Sequence, residues 1–250
     1  MRLGAPWHWY KFDSIHALKL LITFAERTEL QIATAIDHYK TNKKTDFIVF
    51  SEEERMGQFV THYEGLEDMS WDLEELFTSH FPNLQRKSTF LTLYAFLENE
   101  LEKLTIKLKR ELLLPARLDD ISGKGIHRSF SYLQLIVNLK IDKSDNRWSR
   151  ISQINRLRNM IIHSEGQLST NEHARGKEEK FATLLNEHLA VKENEVILGP
   201  TFLLYVIEQF NALFKYIDEA IQLKFSTKRS RKGPPIRRKT KTVKTKKKRK

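Results

Sequence analysis

The stretch Ser88-Thr89-Phe90-Leu91-Thr92-Leu93-Tyr94-Ala95-Phe96-Leu97-Glu98-Asn99-Glu100-Leu101 decides how the chain reads. Phe90, Leu93, Tyr94, Leu97 and Leu101 recur at helical spacing, and Leu104 and Leu108 carry the period to about Leu113. Side chains spaced this way share one face of an α-helix. Ser88 can cap this helix and Pro115 stops it.

Towards the N-terminus, Ser70 precedes Asp72, Glu74 and Glu75, an acidic first turn favoured by the helix dipole. This predicts a short helix that ends at Phe81-Pro82. Further back, Ser51 and Glu54 form a capping-box pattern, so a helix is expected to begin there. Phe47 to Phe50 is β-prone and reads as a strand or an extended loop. Asn42 to Asp46 is a polar break. Leu18, Leu21, Ile22, Ala25, Leu30, Ile32 and Ile36 predict a helix from about Ser14 to Tyr39. The opening aromatics Trp7, Trp9, Tyr10 and Phe12 read as a terminal segment packed on the core.

Towards the C-terminus, Phe130, Leu133, Ile136 and Val137 mark a helix reached through the connection Ile121 to Gly125. Asn146 can cap the next helix, which has the stripe Ile151, Ile154, Leu157 and Ile161 and Gly166 as its terminating residue. Gln167 to Lys180 is polar and reads as a mobile connection. A last helix follows Gly199-Pro200 and carries Phe202, Tyr205, Val206, Phe210, Leu213, Phe214 and Ile217. With only 9 Gly and 6 Pro in 250 residues, long helices outweigh many short strands. The expected fold is all-α: an N-terminal helical extension over residues 1–85, a helical bundle over 86–225, and a disordered Lys/Arg-rich tail over 226–250.

The net charge of +11 is concentrated at one end. Residues 228–250 hold 14 of the 43 Lys and Arg and no acid, leaving 29 basic against 32 acidic residues, or about −3, in the body. Lys228, Arg229, Arg231, Lys232, Arg237, Arg238, Lys239, Lys246, Lys247, Lys248 and Arg249 are candidates for binding nucleic-acid phosphates through counterion release. The final run also resembles a nuclear import signal, and a purely solubilising tail is the alternative. Anionic lipid would call for an amphipathic helix that this tail lacks. The chain has no cysteine, which excludes disulfides, thiolate zinc sites and a cysteine nucleophile. The scattered histidines suggest no metal site, and no cofactor is expected. Met1 to Phe12 lacks a signal-peptide core and Leu18 to Ala25 is far too short for a membrane span. The expected setting is cytoplasmic, or nuclear in a eukaryote.

Arg156-Leu157-Arg158-Asn159-Met160-Ile161-Ile162-His163 gathers two guanidiniums, an amide and an imidazole near one helix end. Asn159 and His163 share a face, with Arg156 towards the same side, while Arg158 falls about 140° from His163 near the apolar stripe. Arginine holds phosphate through a planar fork, and imidazole near neutral pH moves protons to or from a ribose hydroxyl or a leaving oxygen. These are the parts of metal-free RNA transesterification. They are equally the parts of a solvated face ending in a histidine that suits the helix dipole.

Arg158-Asn159-Met160-Ile161-Ile162-His163 resembles the R-x4-6-H motif of HEPN domains, in the form with Asn directly after Arg. The helix order from about Arg86 to Lys224 is similar too, with Glu98 on the preceding long helix and Tyr132 on the helix between. The resemblance implies a helical bundle that forms a homodimer, with motif helices of two subunits meeting in a cleft. It implies a metal-independent endoribonuclease of the kind found in toxin–antitoxin, phage-defence and RNA-processing systems. Arg158 and His163 would then be catalytic and Asn159 would assist, with RNA as substrate and an antitoxin or other protein as a further partner. Glu98 can orient Arg158 by an ion pair or stand as a solvated glutamate. A non-catalytic nucleic-acid-binding or protein-interaction module is the other reading of the same chain.

Overall fold

In a computed structural model of the chain, residues 9–51 and 56–230 are described, except for the side chains of Phe181, Leu184 and residues 226–230. The central element is the 32-residue helix α3 (Phe81–Leu112). Its Phe90, Leu93, Tyr94, Leu97, Leu101, Leu104 and Leu108 are all fully buried. Around it pack α1 (Ile15–Asn42), α5 (Asn146–Ser164) and α7 (Phe202–Ser230), with α7 also touching α1 and α5. Trp9, Leu18 and Ala25 belong to the same apolar core as Ile154, Leu157, Phe210 and Phe214. Of the opening aromatics, Trp9 meets Phe214 edge-on at 5.0 Å and Tyr10 packs against the same core, whereas Phe12 is exposed and Trp7 lies outside the described residues. The expected boundary between residues 85 and 86 falls inside α3.

Several local expectations are corrected. Phe81-Pro82 does not end a helix. The short α2 (Leu73–Glu75), capped by Asp72 accepting the Glu75 N–H at 2.9 Å, continues through a wide turn at Leu76–His80 into α3. Pro82 sits in the first turn of α3, where its missing N–H is tolerated, and the i→i−5 bond from Phe81 N–H to the Leu76 carbonyl absorbs the break. Ser88 is therefore interior to α3, its hydroxyl donating to the Leu84 carbonyl at 3.0 Å.

The fold is mostly helical rather than all-α, with two small antiparallel sheets. β1 (Lys44–Ser51), β2 (Met56–Tyr63) and β3 (Leu66–Glu67) lie in that order, with Phe47 opposite Phe59 and Thr45 opposite Thr61. The helix expected from Ser51 and Glu54 is replaced by β2; residues 52–55 lie outside the described ones. Phe59, Val60 and Thr61 are strand-formers, and their ladder with β1 outweighs a local capping pattern. One face of this sheet buries Val60, and Tyr63 joins Tyr39 and Leu73 in a small second core. The opposite face leaves Phe47, Val49 and Phe59 exposed.

Between the expected bundle helices lie α4 (Gly125–Ser131), extended by a wide turn at Tyr132–Ile136, and α6 (Glu172–Leu184). α6 occupies the segment expected to be a mobile connection, its start fixed by Asn171 accepting the His173 and Ala174 N–H groups at 3.1 and 3.2 Å. After α6 comes the hairpin β4 (Leu189–Lys192) and β5 (Glu195–Leu198), turning at Glu193 and Asn194, which both have positive φ. α7 stays helical through Ser230, past the start expected for the tail, and so carries Lys228 and Arg229 in its last turn. The remaining tail candidates, Arg231 to Arg249, lie outside the described residues. Among the described residues no helix is long and apolar enough to cross a membrane.

A buried polar clamp joins α3 to the β4–β5 hairpin and to the end of α5. Lys87 donates to the Glu165 carbonyl at 2.5 Å and pairs with Glu195, and Asn83 accepts the Leu198 N–H at 2.9 Å while donating to Glu195 at 3.0 Å. Arg86 makes a two-pronged pair with Glu29 of α1 at 2.9 and 2.7 Å and donates to the Leu198 carbonyl at 3.3 Å. Removing one member of a buried pair leaves its partner uncompensated. Lys87→Met is expected to lower unfolding free energy by about 3 kcal/mol in urea denaturation; a loss within error of zero would show that the clamp contributes no net stability.

Candidate functional site

α5 carries the motif residues, and its apolar stripe decides where each one points. Trp148, Ile151, Ile154, Leu157 and Ile161 are buried against the bundle. Asp145 caps the N-terminus by accepting the Arg147 N–H at 2.9 Å and grips the Arg147 guanidinium at 2.8 Å. At the other end, Glu165 (φ 54) and Gly166 (φ 91) turn the chain through the left-handed region. The φ of Gly166 favours glycine, and a Cβ there would lie 2.9 Å from the Lys87 ammonium, which would have to shift within its clamp.

Arg158 lies at the edge of the stripe and turns towards α3. Its guanidinium stands over the Tyr94 ring at 5.5 Å, reaches Glu98 at 3.9 Å and donates to the Asn159 side-chain oxygen at 3.0 Å. Arg158 and Glu98 side chains are each 30% exposed, so the cation is anchored yet still open to solvent. The contact with Glu98 is a single long ion pair, not a bidentate one. Asn159 is half-buried, and Arg156 is exposed on the opposite, α6-facing side. His163 is exposed, in the last turn of α5, and makes no hydrogen bond to another described residue. The five-residue separation puts Arg158 and His163 about 7.5 Å apart along the axis and on different sides of the same helix.

The sequence reading did not single out three residues that extend the Arg158 face. The buried Tyr94 hydroxyl donates to Asn155 at 2.7 Å, and the Asn155 amide donates to His127 Nε2 at 3.2 Å. Burial pushes the Tyr94 phenol well up, Glu98 adds to the rise, and Arg158 opposes it, so it stays a neutral donor. His127 lies edge-on to Trp148 at 5.3 Å. Desolvation, then the charges of Lys143 and Arg156, push its imidazole below the ordinary 6.5. A neutral ring with its proton on Nδ1 is what an amide donor at Nε2 calls for. Asn155 precedes Arg158 by one turn, a spacing that could have revealed it. His127 comes from another helix and left no signal in sequence.

Among the described residues no three His, Asp or Glu side chains converge as a metal site would need. No protein-family model matches the chain, and no curated protein or solved structure is significantly similar to it.

The His127 shift has a definite sign. A depressed pKa means that folding favours the neutral ring, so its contribution to stability is present above pH 6.5 and is lost as the pH falls towards the folded-state value. In a side-chain NMR titration, the His127 midpoint is expected below 6.5 and is expected to rise in Lys143→Gln. A midpoint at the ordinary value in the wild type would contradict this environment.

Proposed function

We propose that the protein is a metal-independent endoribonuclease of the HEPN kind, acting as a homodimer on RNA. The observation that carries the reading is the state of the two motif side chains on α5. Arg158 is held by Tyr94, Glu98 and Asn159 without being sealed off, and His163 is exposed and uncommitted at the end of the same helix. An anchored guanidinium suits a phosphate whose charge grows in the transition state, and an uncommitted imidazole suits proton transfer.

In the proposed reaction the ribose 2′-oxygen attacks the adjacent phosphorus. The 2′-hydroxyl proton leaves as the new O–P bond forms, the bond to the 5′-oxygen breaks, and that oxygen takes up a proton. The products are a 2′,3′-cyclic phosphate and a 5′-hydroxyl end, with no water consumed. His163 supplies the proton transfers, Arg158 neutralises the charge gathering on the phosphoryl oxygens, and Asn159 holds the Arg158 fork in orientation. One α5 presents Arg158 and His163 to different sides, so a second copy would bring the complementary group of its own motif into a shared cleft.

A second reading, a protein-interaction module, draws on the exposed apolar face of the N-terminal sheet at Phe47, Val49 and Phe59. In that case RNA is left intact by the wild type as it is by a motif variant.

The test is cleavage of mixed RNA in EDTA. The wild type is expected to leave cyclic phosphate ends, and His163→Ala is expected to slow cleavage by at least about 100-fold. Arg158→Lys keeps the charge but loses the fork and is expected to fail similarly. Equal cleavage by wild type and His163→Ala would overturn the assignment.

A further inference from the structure

Beside the motif, α5 and α6 enclose a cleft of about 190 Å³ whose lining includes Arg156, Leu157 and Met160 from α5 and Lys177, Glu178 and Lys180 from α6. The three cations are exposed, and none makes an ion pair with a described residue. Exposed cations with no ion pair to a described residue occur elsewhere too, at Lys19, Arg27, Lys124 and Lys140; what sets the cleft apart is that three of them line one recess. The one carboxylate in the lining, Glu178, is turned to accept the Ser169 N–H at 2.7 Å, so the lining carries three positive charges against one negative. Leu157 and Met160 give the cleft an apolar floor.

Three unpaired cations held around an apolar floor are matched by a ligand with repeated negative charge and flat apolar faces. We propose that this cleft seats a single strand of RNA, its phosphates on Arg156, Lys177 and Lys180 and a sugar or base face against Met160. The inference rests on the nuclease reading and specifies where the substrate lies. Geometry links the two. Arg156 and His163 are seven residues apart on α5, which places them about 20° from each other around the helix and about 10 Å along it. A strand lying in the cleft therefore runs along the side of α5 that leads to His163. Polyanion binding through counterion release at the Lys/Arg run would need no such register, because it depends on the number of charges and not on their arrangement.

The experiment uses the full chain and a fluorescent 2′-O-methyl oligouridine, which lacks the attacking hydroxyl and reports binding alone. Anisotropy is measured across a salt series for the wild type, for Arg156→Gln/Lys177→Gln/Lys180→Gln, and for a control of equal charge, Lys19→Gln/Lys40→Gln/Lys44→Gln, on α1 and β1. All six positions are exposed, and matching thermal melts verify that each variant folds. Losing three phosphate contacts is expected to reduce the slope of log affinity against log salt by about 2 in the cleft variant. The control is expected to keep the wild-type slope. Unmodified oligouridine is then cleaved by each protein; the cleft variant is expected to show a raised KM with kcat within twofold at saturation. An unchanged slope in the cleft variant overturns the cleft assignment, and continued cleavage by the wild type then leaves the nuclease reading standing. A reduced slope with no cleavage by any protein overturns the nuclease reading and leaves the cleft as an RNA seat. A duplex RNA of the same length showing the same loss of slope overturns the single-strand assignment.

Discussion

The arrangement of the candidate site depends on the burial of one lysine. The Lys87 side chain is only 9% exposed, and an ammonium removed from water is tolerated only when its hydrogen bonds are made inside the protein. Two partners meet that demand, the Glu195 carboxylate on β5 and the Glu165 carbonyl just beyond α5. The carbonyl is one of the orphan acceptors that a helix leaves at its C-terminus. Satisfying it from α3 fixes where α5 ends and how the chain leaves it. It also bears on the glycine at 166, whose positive φ favours glycine and where a Cβ would press on the Lys87 ammonium and disturb the clamp. The last turn of α5, which displays His163, is thereby held against the central helix rather than left to fray.

The second constraint is how α5 divides between core and solvent. Its stripe from Trp148 to Ile161 commits one side to the bundle, and Arg158 sits where that side ends. A guanidinium at the rim of a core is costly unless its charge is matched, and the surroundings match it only in part. Tyr94 offers a ring face, Asn159 an oxygen, and Glu98 a carboxylate that stops at 3.9 Å. The phenol that forms one wall is itself fixed through Asn155 to His127 on α4. Three helices thus hold one cation in place while leaving it open to solvent. A guanidinium closed by a tight bidentate carboxylate would gain more locally and have less left to offer a ligand.

How much of this was legible in the sequence follows from the range of each signal. The period of Phe90 to Leu108 and the stripe of Ile151 to Ile161 announce α3 and α5, because a helix that buries one side repeats its apolar residues along the chain. The motif residues were visible for a different reason, their resemblance to the R-x4-6-H pattern, since Arg158 and His163 lie about 140° apart around α5 and share no face. The sheets were harder. The Ser51 and Glu54 pattern is a local preference, whereas β2 exists because Phe59, Val60 and Thr61 find partners on β1. Phe81-Pro82 misled because a proline reads as a stop, although the first turn of a helix accepts one. α6 was hidden by its composition: from Glu172 to Lys180 it shows almost no apolar residue, and its packing begins only near Ala182. The contacts of Arg158 with Tyr94 and of Asn155 with His127 join separate helices, and no spacing within one chain segment encodes them.

The misread α6 changes the electrostatic account more than it changes the fold. Taken as a polar connection, Gln167 to Lys180 offers charges without a place. As a helix facing α5 it brings Lys177 and Lys180 beside Arg156. The body of the protein, residues 1–227, is mildly acidic, so a polyanion approaching it meets little net attraction. At physiological salt, charges are screened beyond about 8 Å, and unpaired cations act only on what lies directly against them. On the proposed reading this separates two tasks. The terminal run of Lys and Arg can raise the encounter rate with RNA of any sequence, while the cleft holds one strand in a defined relation to α5. A protein with only the run would bind RNA and leave the scissile phosphate at no fixed point. On that reading, proton transfer by His163 needs the strand held within hydrogen-bonding reach, and the helices α5 and α6 on the two sides of the cleft supply that constraint.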